Sequence, residues 1–130
     1  MATFCVNGGL KLTTGLLTAA SSLVPKYVGI GSGTTTAAIT DTALTTEYTT
    51  GTWASYARVT ATASQTTVTE TDDTAQWVAS FTAPAAETVA EAGNFDATTA
   101  GNLYVHGNFT GVALSSGDTL QVTIACTFTN

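Results

Sequence analysis

Basic residues are nearly absent from this 130-residue chain. Lys and Arg number three against nine Asp and Glu, for a net charge of −6 and a pI ≈ 4.2. Binding a phosphate backbone requires Lys and Arg to displace counterions, so nucleic acid is not an expected partner. Charged residues of both signs make up only 9%, where about 25% is usual. Long apolar runs are missing too. A spanning helix needs roughly 20 such residues and nothing here approaches that, so no membrane partner is expected. The first residues, Met1 to Leu12, lack a basic stretch leading into an apolar one, so the expectation is no secretory signal and synthesis in a host cytoplasm. Two Cys and one His fall short of the four N or S ligands of a structural zinc site.

The absence of charge does not signal disorder. Disordered chains pair low hydrophobicity with high net charge, whereas 44% of this chain is hydrophobic, with a mean hydropathy of +0.24 and eleven aromatic residues. The space left by charge is filled by 30 Thr and 21 Ala. Thr is β-branched and suits a pleated surface better than a helix. A mass of 13.2 kDa allows one core of useful size, and one domain over residues 1–130 is expected.

Alternation places strands. Leu120, Val122, Ile124, Cys126 and Phe128 alternate with Gln121, Thr123, Ala125, Thr127 and Thr129, an apolar face against a mostly Thr face. Trp77, Ala79 and Phe81 alternate with Gln76, Val78 and Ser80, and Trp53, Ser55, Ala57, Val59 and Ala61 form a third such series. Turn signals at Asn7-Gly8-Gly9, Gly29 to Gly33, Thr50-Gly51, Asp72-Asp73, Ala92-Gly93-Asn94, Ala100-Gly101-Asn102 and Ser116-Gly117-Asp118 separate the runs. The expected strands are 3–6, 9–12, 23–29, 53–62, 65–71, 75–82, 87–91, 102–113 and 119–128, with Gly107 and Gly111 as bulge positions. Regular short strands with such turns imply an all-β antiparallel sandwich or barrel. Residues 34–52 break the rhythm and read as a long loop packing Ile39 and Leu44 onto a sheet. Cys5 and Cys126 read as two buried thiols; a disulfide requires the first and last strands to be neighbours.

Catalytic and ligand chemistry is sparse. A Ser-His-Asp or Cys-His system has only His106 to use. The run Leu103-Tyr104-Val105-His106-Gly107 reads as a strand with His106 facing solvent or an interface, so His106→Ala is expected to leave folding nearly unchanged. Gly29-Ile30-Gly31-Ser32-Gly33 lacks the following Lys-Thr of a phosphate loop. Glu70, Asp72 and Asp73 lack the spacing of a calcium loop and read as a solvated hairpin tip. Asn108-Phe109-Thr110 matches a glycosylation sequon of the sort common by chance. No catalytic, cofactor-binding or metal-binding residues are assigned, and the protein is expected not to be an enzyme.

Two stretches carry a resemblance. One is Lys26-Tyr27-Val28-Gly29-Ile30-Gly31-Ser32-Gly33-Thr34-Thr35-Thr36, continuing through Asp41-Thr42-Ala43-Leu44-Thr45-Thr46-Glu47. The other is Glu91-Ala92-Gly93-Asn94-Phe95-Asp96-Ala97, with Asn108-Phe109-Thr110 and then Ser116-Gly117-Asp118-Thr119-Leu120-Gln121-Val122-Thr123. Together they resemble small virion proteins of tailed bacteriophages, described variously as capsid decoration (cement) proteins or as tail-fibre and tail proteins. Asn94 departs from that pattern, standing where Leu is common and weakening an apolar anchor. The resemblance implies a jelly-roll-like sandwich and a structural role on the virion surface. The expected function is capsid decoration, with the major capsid protein and neighbouring copies of itself as partners in a homo-oligomer. The alternative is a tail-fibre or baseplate component contacting the host surface, with Trp53, Tyr56, Trp77 and Tyr104 as candidate glycan-stacking rings. Length favours decoration, because a fibre chain normally carries a shaft of repeats or a coiled coil. The expected docking segment is the loop arm at about residues 30–52, with Gly29, Ile30, Gly31, Thr34, Ile39, Leu44 and Tyr48 as its candidate contacts.

Overall fold

A computed structural model describes residues 2–18 and 23–129. In chain order the elements are β1 (Ala2–Cys5), α1 (Asn7–Leu17), β2 (Tyr27–Gly31), β3 (Val59–Thr60), β4 (Thr62–Thr66), β5 (Thr74–Thr82), β6 (Glu87–Phe95), β7 (Leu103–Leu114) and β8 (Thr119–Thr127). They build a five-stranded sheet, β1-β7-β6-β2-β3, and a three-stranded sheet, β4-β5-β8, and every strand pairing is antiparallel. The two inner faces make one core. Val28, Ile30, Ala92 and Val105 come from the larger sheet, and Trp77, Ala79, Phe81, Val122 and Ile124 from the smaller. The expected all-β sandwich is therefore present, with one helix added.

The alternating runs explain the small sheet. Trp77, Ala79 and Phe81 of β5 point inward, as do Val122 and Ile124 of β8. Their partners Gln121, Thr123 and Ala125 are exposed. β5 and β8 pair without interruption from Thr74↔Thr127 to Thr82↔Thr119. The chain changes sheets at short corners. A single residue, Ala61, separates β3 from β4, and its N–H donates to the Lys26 carbonyl at 2.8 Å. At the β7–β8 corner Gly117 adopts φ +89°, a left-handed conformation that glycine enters without steric cost, and the Ser115 N–H donates to Asp118 Oδ2 at 2.8 Å.

Several expectations fail for identifiable reasons. Residues 9–12 lie in α1, not in a strand. The helix leans on β7, and Gly8 and Gly9 permit the approach: a Cβ on Gly9 would collide with the Tyr104 carbonyl and lie 2.9 Å from Cys5 Sγ. Leu12 is buried there, and the Thr13 hydroxyl bonds the Gly9 carbonyl at 3.0 Å and Tyr104 Oη at 2.8 Å. Tertiary packing thus overrides a weak local preference. Residues 53–58 are not strand either. Ser55 takes φ 61°, and Trp53 reaches the core from a turn, its ring centroid 5.0 Å from that of Tyr48. The 65–71 strand ends at Thr66, because Asp73 gathers the N–H groups of Val68, Thr69 and Glu70 into a turn. The Asp73 carboxyl is held far below the usual range by those bonds, so the acidic group at 70–73 does serve a hairpin tip. The register slip at Val89/Glu91 sets residues 109–111 of β7 against Ala90, so Gly111 does lie in an irregular stretch; Gly107 pairs regularly with Ala92, and the other slip is at Asn94/Phe95. The two glycines also make room for Thr3 and Thr88. Phe128 lies past the end of β8 and is 52% exposed, so it does not extend the apolar face. Residues 19–22, within the span joining α1 to β2, lie outside the described residues.

Gly9 offers a test in which two effects oppose each other. Ala is favoured over Gly in a helix by about 1 kcal/mol, yet no space exists for its Cβ. Gly9→Ala is expected to lower stability in chemical denaturation; a rise would mean that the helix does not dock as described.

Candidate functional site

The outer face of the five-stranded sheet carries most of the chain's buried polar chemistry. Gly29 and Gly31 of β2 and Gly93 of β6 leave a trough in that face, and the segment 32–48 lies in it. A Cβ on Gly31 would strike the Thr46 carbonyl, and one on Gly93 would come within 3.0 Å of Leu44 Cδ2. Leu44 fills the trough and packs with Val6, Phe95 and Leu103 in a second, smaller core. A bridge between Gly31 and Glu47 returns the segment to the sheet edge.

Glu91 stands in the trough floor with no exposed surface. Its Oε1 accepts the N–H of Thr46 at 2.6 Å and of Gly33 at 3.3 Å, and its Oε2 accepts that of Thr45 at 2.9 Å. A buried carboxylate is costly unless it is paired and hydrogen-bonded, and this one is both. His106, also fully buried, places Nε2 3.0 Å from Glu91 Oε2 and Nδ1 2.6 Å from Asp41 Oδ2. Asp41 in turn accepts the Ala38 N–H at 2.7 Å. A carboxylate at each ring nitrogen makes both nitrogens donors, so the ring is imidazolium. The hydrogen bond to Glu91 raises the His106 pKa above 6.5; burial opposes this and the bond to Asp41 adds to it. Burial would lift both carboxyls. The bonds from His106, Thr46 and Thr45 outweigh it at Glu91, those from Ala38 and His106 outweigh it at Asp41, and both titrate below their usual range.

A second anchor sits at the C-terminal end of the segment. Arg58 grips Glu47 with two bonds, Nε to Oε1 at 2.7 Å and Nη2 to Oε2 at 2.8 Å, the fork geometry of the stronger ion pairs. Its Nη1 donates to the carbonyls of Ala97 and Ala100, and its guanidinium lies 3.3 Å from the Phe95 ring centroid. Tyr56 Oη lies 2.9 Å from Glu47 Oε1 and receives the Ile30 N–H at 3.0 Å. The Tyr48 hydroxyl donates to the Thr88 carbonyl at 2.8 Å, and Asn108 Oδ1 accepts the Ala37 N–H at 3.1 Å.

These contacts place the expected docking residues. Gly29 and Gly31 floor the trough, Ile30 points the opposite way into the main core, and Leu44 and Tyr48 are buried. Thr34 is exposed, and Ile39, expected to pack on the sheet, is 49% exposed. His106 was expected at solvent or an interface and is instead enclosed, because the segment crossing above it supplies the second carboxylate. The nearly silent His106→Ala is withdrawn for the same reason. With both ring nitrogens held by carboxylates, neither is placed to take a proton from a nucleophile. Asn94, expected as a weakened apolar anchor, is buried and accepts the Val105 N–H at 2.9 Å where the β6–β7 register slips. Of the four rings considered for glycan stacking, Trp53, Trp77 and Tyr104 are buried. Cys5 and Cys126 are free, half-buried thiols, and burial, with the neighbouring Cys126 adding to it, pushes Cys5 up to about 11. Glu91, Asp41, Arg58 and Tyr56 were not singled out from sequence as anchors. Glu91 had a signal, a lone acid amid Val89-Ala90 and Ala92-Gly93.

The two sequence stretches resemble small virion proteins of tailed phages, and a family model bears on that resemblance. The family model described as "Podophage GP4 fiber I protein gp80" matches residues 11–127. The chain belongs to that family and is a structural protein of a phage virion. No curated protein and no solved structure matches it.

Removing the imidazolium would leave two carboxylates facing each other under the loop. His106→Ala is expected to cost about 3 to 5 kcal/mol in denaturant unfolding, the range for breaking a buried ion pair. A loss under 1 kcal/mol would show that the pairing is not holding the segment.

The pH dependence follows from the directions of the shifts. The His106 contribution is complete below its unfolded value of 6.5 and is lost as pH rises through its raised folded value. The carboxylate contributions are complete above the unfolded values, 4.5 for Glu and 3.8 for Asp, and are lost as pH falls through the lowered folded values. Unfolding free energy should therefore form a plateau between about pH 4.5 and 6.5 and fall on both sides. In His106→Ala the decline that begins just above pH 6.5 should vanish, leaving only the fall above about pH 9 that the raised Cys5 thiol contributes.

Proposed function

We propose that this protein is a subunit of a fibre on the phage virion, exposed toward the host surface and acting by assembly rather than by catalysis. The observation that carries this reading is the family match over residues 11–127. The internal structure supports it. Asp41, Glu47, Glu91, Arg58 and His106 spend their charge on holding the loop. The outward faces of β4 and β8 present Thr, Ser, Gln and Ala. Hydroxyl and amide groups can enter an interface at a lower desolvation cost than ions. The partners proposed are neighbouring copies of the chain and other virion proteins, and the exposed residues Thr34, Thr35, Thr36 and Ile39 are the part of the loop arm open to them.

Capsid decoration, with the major capsid protein as partner, is the second reading. The uncharged outward faces of β4 and β8 suit packing on a shell as well as on a fibre. Gold-labelled antibody against the protein on intact virions separates the two. Label concentrated on fibres is expected. Label spread evenly over the head would replace the fibre by the decoration reading, and virions without label would overturn both.

A further inference from the structure

The chain's two cysteines stand at its opposite ends in sequence and beside one another in the fold. β1 carries Cys5 opposite Val105 on the edge of the large sheet, and β8 carries Cys126 opposite Ala75 on the edge of the small one. No ladder joins these two strands, so the thiols meet across the core between the sheets. Both are half-buried and pack on that core. Tyr104 links them. A Cβ at Gly9 would stand 2.9 Å from Cys5 Sγ and 3.0 Å from Tyr104 Cδ2, so thiol and ring line the same narrow gap. The Tyr104 ring packs edge-on against Trp77, with centroids 5.5 Å apart. Trp77 lies opposite Ile124 in the β5–β8 ladder, and Cys126 is the next inward position on β8 after Ile124. Cys5, Cys126 and Tyr104 also perturb one another's ionisation, which requires close approach.

We propose that Cys5 and Cys126 form an intramolecular disulfide when the folded chain meets an oxidising medium, fastening an edge strand of one sheet to an edge strand of the other. The step is thiol–disulfide exchange with a small disulfide such as oxidised glutathione. The Cys126 thiolate attacks one sulfur of the reagent, forming a mixed disulfide and expelling one thiolate, which takes up the proton Cys126 gave up. Cys5 then loses its proton, attacks the Cys126 sulfur and expels the second thiolate, which is protonated in turn. The protein loses two electrons and two protons, and the reagent gains both. Cys126 is placed to react first. Burial lifts both thiols, but at Cys126 the neighbouring Cys5 and Tyr104 oppose the lift. Raised thiols exchange slowly and a cytosol keeps thiols reduced, so the bond belongs to the chain outside a cell. Its mechanical effect follows from the topology. β1 is four residues long and pairs with β7 alone, and β8 pairs with β5 alone. Strands at a sheet edge and near a chain end open at the lowest free energy, and one bond restrains both. The inference rests on the placement of the thiols and not on the fibre reading.

Purified full-chain protein, fully reduced and then incubated with oxidised glutathione without denaturant, provides the test. Thiol titration after unfolding is expected to fall from two per chain to none. Proteolysis should release a peptide joining Cys5 to Cys126, and a non-reducing gel should place that bond within single chains. Closing a loop that spans nearly the whole chain should raise the melting temperature by about 10 °C over the reduced protein, reversibly on adding dithiothreitol. Cys5→Ser, treated alike, should carry a glutathione adduct on Cys126 and show no such rise; if that variant does not fold, the unsubstituted chain decides alone. Two thiols that persist in the folded protein, while the urea-unfolded chain oxidises under the same reagent, would overturn the proposal. So would a disulfide that joins two chains, or an internal bond that leaves the melting temperature level or lowers it. None of these readouts depends on where antibody labels the virion, so a failed crosslink and a failed fibre assignment are told apart.

Discussion

The buried carboxylate of Glu91 is the constraint around which the rest of the large sheet is arranged. A carboxylate with no exposed surface needs hydrogen-bond donors on every side. The sheet cannot supply them, since its own N–H groups are committed to the ladder. The donors come instead from a segment 45 to 58 residues away along the chain, at Gly33, Thr45 and Thr46, and from His106 on the next strand. That requirement dictates the loop's path, and the path dictates the glycines. A side chain at Gly31 or Gly93 would lift the loop off Glu91. It also dictates Asp41, because an imidazolium buried beside one carboxylate still has a second N–H to satisfy. Low-charge composition and a demanding internal ion network go together here: Asp41, Glu47, Arg58, Glu91 and His106 all bond to the chain itself.

Legibility followed the distance over which each feature is determined. β5 and β8 were readable because a half-buried strand writes its environment into its own alternation, and both ends were placed to within a residue or two. The 9–12 stretch was misread because what makes it a helix is the space at Gly8 and Gly9 against β7, a feature of a neighbour a hundred residues on. Trp53 was misread in the same way: its ring is core, but the backbone that delivers it is a turn with Ser55 at φ 61°.

The loop was half legible. Its extent, its lack of periodicity and the packing of Leu44 were visible. Ile39 was assigned the same role on hydrophobicity alone and lies largely exposed. The anchors were invisible because they are pairs between distant positions. Asp41 and His106 are 65 residues apart, and Glu47 and Arg58 meet only after the segment has folded back. A composition count does hold part of the signal. With only three basic residues, an Arg placed near the end of a long loop has few reasons to be there other than to pair.

Pinning the loop from inside has a consequence for assembly. A flexible arm would have to be ordered when neighbours meet, and that ordering would subtract from the interface energy at about 1 to 2 kcal/mol per residue fixed. Here the ordering is completed during folding, around the fully buried Glu91 and His106. The exposed side chains of Thr34, Thr35, Thr36 and Ile39 would therefore meet any neighbour already in shape, and interfaces made of hydroxyls and backbone groups, each weak in net contribution, can be retained at modest area. An interface built from surface ion pairs would gain little per pair and lose it in salt. A threonine-rich exterior over a charge-locked interior avoids that dependence, which suits a particle that meets changing ionic conditions outside its host.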